Sequence, residues 1–255
     1  MSMRNLMTFV ALGALPLAAC GGGAEAPRQE APPTTQAAAA PPAASAGSAS
    51  ITGKVTFEGT VPPAERVKTS ADPKCQAAHP GGLERQPVKV KDGGLADVLV
   101  YVKTAASTAP APTTPALIDQ TGCVYVPHVI AVQAGQPITI RNSDDTLHNI
   151  HPRPTVNDEF NLAQPRKGTE HTRQFDKPEP WIPVGCDVHP WMRAYIAVIP
   201  HPFFAVTKED GSFEIKGLAA GEYEVEAYHE KFKGQTQKVT VKDGEAATLN
   251  VAFKG

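Results

Sequence analysis

The sequence predicts an all-β protein, a sandwich or barrel, on three observations. Short segments alternate apolar and polar residues, no long segment carries a capped 3.6-residue helical period, and 25 prolines are spread along the chain. Ile51, Val55 and Phe57 alternate with Thr52, Lys54, Thr56 and Glu58, the period of a half-buried strand. Ala96 to Val102 is a mostly apolar run rich in β-branched residues, bounded by Gly93-Gly94 and a Thr/Ala/Pro stretch. Val129 to Ile140 forms two apolar arms around Gly135. Near the C-terminus, Tyr223, Val225 and Ala227, then Leu249, Val251 and Phe253, alternate with polar neighbours. Asp210-Gly211 and Asp243-Gly244 predict hairpin turns.

Upstream of the strands, Arg4 precedes an apolar run, Leu6 to Ala19, that is too short for a membrane span. Residues 1–20 therefore read as a secretory signal peptide. Its ending, Leu17-Ala18-Ala19-Cys20, resembles the lipobox of bacterial lipoproteins, which implies lipidation of Cys20 and a membrane-anchored, exported protein. An ordinary signal peptide cut before a chance cysteine is the alternative. Gly21, where an Asp would resemble an inner-membrane retention signal, implies the outer membrane, facing the periplasm or cell surface. Residues 21–50 are Ala- and Pro-rich with scarcely a large apolar side chain, and read as a disordered tether. Lys and Arg number 24 against 26 Asp and Glu, with no basic stretch, which excludes nucleic-acid binding.

The chemistry lies between residues 142 and 193. Cys186-Asp187-Val188-His189-Pro190-Trp191-Met192 places a thiolate, an imidazole and a thioether in one loop, and His148-Asn149-Ile150-His151 offers a second imidazole. Two imidazoles, one thiolate and a distant thioether suit one copper cycling between its oxidation states. A zinc site more often shows paired Cys or His-rich ligands and no thioether. Residues three apart on a strand point to opposite faces, so only one of His148 and His151 can face the metal.

These segments resemble the cupredoxin family, amicyanin-like members most closely, over roughly residues 120–200. The shared pieces are the Cys-x-x-His-Pro-aromatic-Met-Arg loop, Cys186 to Arg193, and the His-Asn-aliphatic-His segment, His148 to His151. The resemblance implies one type 1 copper held by His148, Cys186, His189 and Met192, with Asn149 tying the ligand loops together and tuning the Cys sulfur. It also implies that the outer edge of His189 reaches the surface within an apolar ring including Pro190 and Trp191, a docking face for a redox protein. Trp191 folded inward to pack the loop is the alternative. The chain departs from the family in a long polar insertion, Pro152 to Gln174, and in segments added on both sides.

The C-terminal stretch, Asp210 to Ile215, Gly217 to Tyr223 and on to Phe253, resembles the carboxypeptidase regulatory-like domain, a prealbumin-like β-sandwich. Its opening strands are missing immediately upstream, but Gly53 to Phe57 and Leu95 to Val102 look like them. The expected organisation is a cupredoxin at 106–202 inserted into a discontinuous sandwich made of 51–105 and 203–255. Alternatively, 51–105 extends the cupredoxin. The second lobe carries no catalytic signature.

Of four cysteines, Cys75 and Cys123 remain once Cys20 and Cys186 are assigned. In an oxidising compartment they predict a disulfide. A second metal site from Cys75, His79, Cys123 and His128 is the rival reading. His171, His201 and His229, in polar or Pro-rich surroundings, are expected at the surface.

An electron carrier needs one redox copper and no small-molecule substrate pocket. A copper storage or delivery protein, the alternative function, would favour Met- and His-rich tracts, whereas the chain has four Met. A multicopper oxidase needs His beside the ligand Cys, where Gly185 and Asp187 stand, and a binuclear centre needs a second Cys in the loop. The reading is a non-enzymatic one-electron carrier.

Overall fold

A computed structural model of the chain describes residues 47–105 and 107–255. The expected signal peptide, Cys20 and most of the tether lie outside the described residues.

The N-terminal part contributes β1 (Ala49–Glu58), β2 (Glu65–Val67), a six-residue helix α1 (Pro73–Ala78), β3 (Leu83–Arg85), β4 (Val90–Lys91), β5 (Gly94–Leu95) and β6 (Leu99–Val102). The middle contributes β7 (Ala116–Thr121), β8 (Val124–Val126), β9 (Val129–Gln133), β10 (Ile138–Asn142), β11 (His148–Pro152), β12 (Leu162–Gln164), β13 (Glu170–Arg173), β14 (Glu179–Gly185) and β15 (Arg193–Ile199). The C-terminal part contributes β16 (Phe204–Val206), β17 (Ser212–Leu218), β18 (Gly221–His229), β19 (Lys233–Val241), β20 (Ala246–Thr248) and β21 (Val251–Lys254).

The middle strands form two facing sheets, ordered β13-β10-β7-β8 and β12-β11-β14-β15-β9. Ile118, Ile138, Ile140, Ile182 and Ile196 point between them and are fully buried with Cys186 and Met192 in one apolar cluster. Gly135, with φ 83°, takes the left-handed conformation that lets β9 turn into β10. Part of the polar insertion joins the sheets, since β12 pairs with β11 and β13 with β10.

The second sandwich draws on both ends of the chain. β1 runs antiparallel to β17, with Ile51 opposite Ile215, and parallel to β21, with Phe57 opposite Phe253. The opposing sheet has the order β16-β6-β18-β19. Val55, Leu95, Val100, Ile215, Val225 and Phe253 fill the space between the sheets. At ~25 cal/mol per Å² of apolar surface withdrawn from water, this alternation is what drives the two sheets together.

Three expectations need correction. Asp210-Gly211 and Asp243-Gly244 do turn the chain, with Gly211 and Gly244 at positive φ, but neither closes a hairpin. β16 and β17 belong to different sheets, and β20 pairs with β1 rather than β19. The long hairpin is β18–β19, paired from Gly221↔Val241 to His229↔Lys233. The sequence reading also missed α1, signalled only by Asp72-Pro73: the Asp72 carboxylate accepts from the N–H groups of Lys74 (2.7 Å) and Cys75 (3.2 Å), and Pro73 opens the helix. Finally, residues 69–79, expected with the second sandwich, are pinned to the middle body through Cys75 and Asp72.

Candidate metal centre

The site assembles from two loops at one end of the middle sandwich. After β10, buried Asn142 organises the turn to β11: its Nδ2 donates to the carbonyls of Thr146 (2.8 Å) and Gln164 (2.9 Å), and its Oδ1 accepts from Asp144 N–H (2.9 Å). Asp144 is thereby set against the β7–β8 turn, where it accepts from the N–H groups of Gly122 and Cys123, each at 2.7 Å. Its Oδ2 also receives Nε2 of His148 at 2.9 Å.

The second loop joins β14 to β15 and is closed by its own backbone. Cys186 N–H donates to Met192 O (3.3 Å), Met192 N–H to His189 O (2.9 Å), and His189 N–H to the Cys186 sulfur (3.4 Å). Asn149 on β11 links the two loops. Its Oδ1 accepts from Asp187 N–H (2.7 Å) and Val188 N–H (3.3 Å) and lies 3.2 Å from Cys186 Sγ.

The loops bring His148, Cys186 and His189 together, with their ligating atoms within 4.8 Å of one another. The two Nδ1 atoms are 2.9 Å apart, and Cys186 Sγ is 3.9 Å from His189 Nδ1. Met192 is fully buried in the same apolar cluster as Cys186. His151 is not part of the group; its ring lies between Asp187 and Glu159.

Each clustered imidazole is held from behind by a carboxylate: His148 Nε2 by Asp144, and His189 Nε2 by Asp72 at 3.0 Å. In the neutral ring a carboxylate fixes the proton on Nε2 and leaves the Nδ1 lone pair facing inward, and a second proton, when the ring is charged, sits on Nδ1 and can be donated to the Cys186 sulfur. Two lone pairs 2.9 Å apart repel unless a cation, proton or metal, lies between them. Burial opposes ionisation of Cys186, yet hydrogen bonds from His148 and His189 bring its thiol down to about 6. Burial likewise disfavours charge on His148, yet Asp144 and the Cys186 sulfur lift its imidazole to about 8. A thiolate, two inward imidazole nitrogens and a buried thioether fit copper in either oxidation state, whereas a structural zinc site would draw on more thiolate or imidazole ligands.

The outer shell was not visible in the sequence. Asp72 and Asp144 carry no motif of their own; the only signal was the helix start at Asp72-Pro73. The expected exposure of His189 is overturned: it does not reach the surface. It is 2% exposed, covered by Asp72 of the α1 segment and by Cys75, whose sulfur is 3.7 Å from its Nε2. Cys75 and Cys123 are joined by a disulfide lying over the imidazoles. His79 and His128 turn away from it, His79 to the Gly122 carbonyl and His128 to Glu230. Pro190 is exposed, whereas Trp191 is half-buried, its Nε1 donating to Cys123 O at 3.1 Å and its ring 5.0 Å from that of His189. His201 and His229, expected at the surface, are each 1% exposed. The His201 ring meets the Val102 carbonyl, 99 residues away in sequence, and the His229 ring stacks on Phe232.

Fold and donor set define an all-β protein of two sandwiches, the first bearing a His, Cys, His and Met group that resembles a type 1 copper site. Residues 190–254 match the carboxypeptidase regulatory-like domain, so the match begins inside the ligand loop and covers the C-terminal strands of the second sandwich but not its N-terminal ones. Among solved structures, the chain is similar to a copper-containing nitrite reductase from Thermus scotoductus SA-01, at 21% identity and a TM-score of 0.29. That alignment covers 33% of this chain and 22% of the reductase, so the chain spans about a fifth of it. It is also similar to a methionine-to-alanine variant of amicyanin in the Cu(I) state, at 23% identity and TM-score 0.30, over 33% of this chain and 81% of amicyanin. A purple cupredoxin from Nitrosopumilus maritimus aligns at 23% identity and TM-score 0.29, over 32% of this chain and 98% of that one. No curated protein matches the chain.

Proposed function

We propose that this protein is an exported, lipid-anchored copper protein that carries single electrons between redox partners and catalyses no reaction of its own. The observation that carries the reading is the pair of Nδ1 atoms 2.9 Å apart, each imidazole held from behind by a carboxylate, beside a free buried thiol. Copper bound there would supply a one-electron couple.

The chain's residues do the rest. Cys186 offers a thiolate near neutral pH, Asp144 and Asp72 hold the two imidazoles in one tautomer, and the backbone-closed loop fixes Met192 beside Cys186. Ligands held this firmly keep the rearrangement between oxidation states small. Burial of all four side chains keeps water from the site. The second sandwich, made of 203–255 together with 51–105 apart from the segment 69–79, is proposed as a scaffold. The lipid on Cys20 would hold the protein at the outer membrane, facing the periplasm or cell surface.

The test is copper loading of the soluble part. An intense visible thiolate-to-copper band is expected, abolished in Cys186→Ser and retained in His151→Ala. Met192→Gln should keep the band and lower the potential, because an oxygen donor favours Cu(II). A colourless Cu(II)-loaded protein, or colour lost only with His151, overturns the ligand set.

A further inference from the structure

Resting on that reading, we infer that electrons leave beside Trp191 rather than through the edge of His189, into a protein partner with a carboxylate-rich docking face. His189 has no free edge: Asp72 occupies its Nε2, and Cys75 and α1 lie over it. His148, Cys186 and Met192 are each below 5% exposed. Trp191 packs against His189, the ring centroids 5.0 Å apart and the planes tilted by 47°, and is itself half-exposed. Its anchor on Cys123 O holds the indole across the gap between imidazole and solvent.

The surface around it is cationic. Trp191 and exposed Pro190 line a shallow depression of about 400 Å³ with Arg66, Lys68, Arg85 and Arg193, against one lining carboxylate, Glu65. Arg85 is paired with Glu65 and Arg66 faces Glu84 at 3.9 Å, while Lys68 and Arg193 have no carboxylate within ion-pair distance among the described residues. Local positive charge stands out on a chain whose formal net charge is −2. An aromatic and a proline ringed by unmatched cations suit an anionic protein face: the ring supplies packed contact, and the cations steer the encounter.

The experiment oxidises the copper(I)-loaded protein with ferricyanide, an anion, and with tris(phenanthroline)cobalt(III), a cation, while poly-glutamate is titrated in as a competitor. Each oxidant takes one electron and leaves the protein as copper(II). Lys68→Glu and Arg193→Glu together should slow ferricyanide roughly tenfold at low ionic strength, an effect that fades as salt shortens the screening length below ~10 Å. They should leave the visible band in place and abolish competition by poly-glutamate. Trp191→Leu should slow both oxidants several-fold with an unchanged band. Val188→Glu, a new negative charge on another exposed part of the ligand loop, should alter neither rate by more than ~2-fold. The inference is overturned if the Lys68 and Arg193 reversals leave the ferricyanide rate alone, if Val188→Glu controls it instead, or if poly-glutamate does not compete. A protein that never develops the band fails the copper reading itself, a separate result.

Discussion

Asp72 Oδ2 lies 3.0 Å from His189 Nε2, while its Oδ1 caps α1 through the Lys74 and Cys75 N–H groups. One side chain therefore ties a short helix from the N-terminal part of the chain to an imidazole of the metal group. Thr146 Oγ1 also donates to Asp72 at 2.7 Å. Burial would raise this carboxyl, but hydrogen bonds from Thr146, the Cys75 N–H and His189 hold it down at about 2, so it stays ionised at any physiological pH.

Asp72→Asn should weaken copper binding by ~10-fold, and Asp72→Ala further, because the alanine also removes a helix cap worth about 1 kcal/mol. Competition with a copper(I) chelator measures this. Affinity unchanged in both variants would show that the carboxylate only caps α1.

Copper uptake should depend on pH in two regimes. Between about 6 and about 8 the Cys186 thiol is ionised while His148 still carries a proton, so binding displaces one proton. Apparent affinity should rise ~10-fold per pH unit there and level off above about 8. Below about 6 a second proton, on Cys186, must also leave, and the slope should steepen toward ~100-fold per unit. Chelator competition across pH checks this; a flat profile from 6 to 8 would contradict the thiolate–imidazolium pair.

The Cys75–Cys123 disulfide closes a 48-residue separation over the imidazoles. Replacing both cysteines with alanine should cost about 4 kcal/mol on the chain-entropy account. It should also free α1 from above His189 and speed copper transfer to a chelator. Denaturant titration gives the first quantity and stopped-flow colour loss the second. If stability falls while transfer stays slow, Asp72 alone keeps the cover closed.

Cys20→Ser should release the exported protein from membranes into the soluble fraction. Fractionation with and without detergent measures it, and persistent membrane association would remove the lipid anchor from the proposal.

The all-β class and the grouping of Cys186, His189 and Met192 were legible in the sequence because both are local: alternation is written in neighbouring residues, and these three side chains fall within one loop. His148, 38 residues upstream of Cys186, was assigned to the group only by the resemblance of its His-Asn-aliphatic-His segment. Tertiary structure decided what surrounds them. Asp72 and His189 are 117 residues apart, and nothing in either neighbourhood encodes the contact. The same holds for β1, whose alternation marks it as a strand but not as the partner of β17, β20 and β21. His201 misled for a related reason: polar neighbours in sequence suggested the surface, but the Val102 carbonyl, 99 residues away, meets its ring in the interior, whereas His229 is held by the nearby Lys231 N–H and Phe232 ring. Periodicity states which face of an element is apolar, and the burial of His189 followed instead from which distant segment came to cover it.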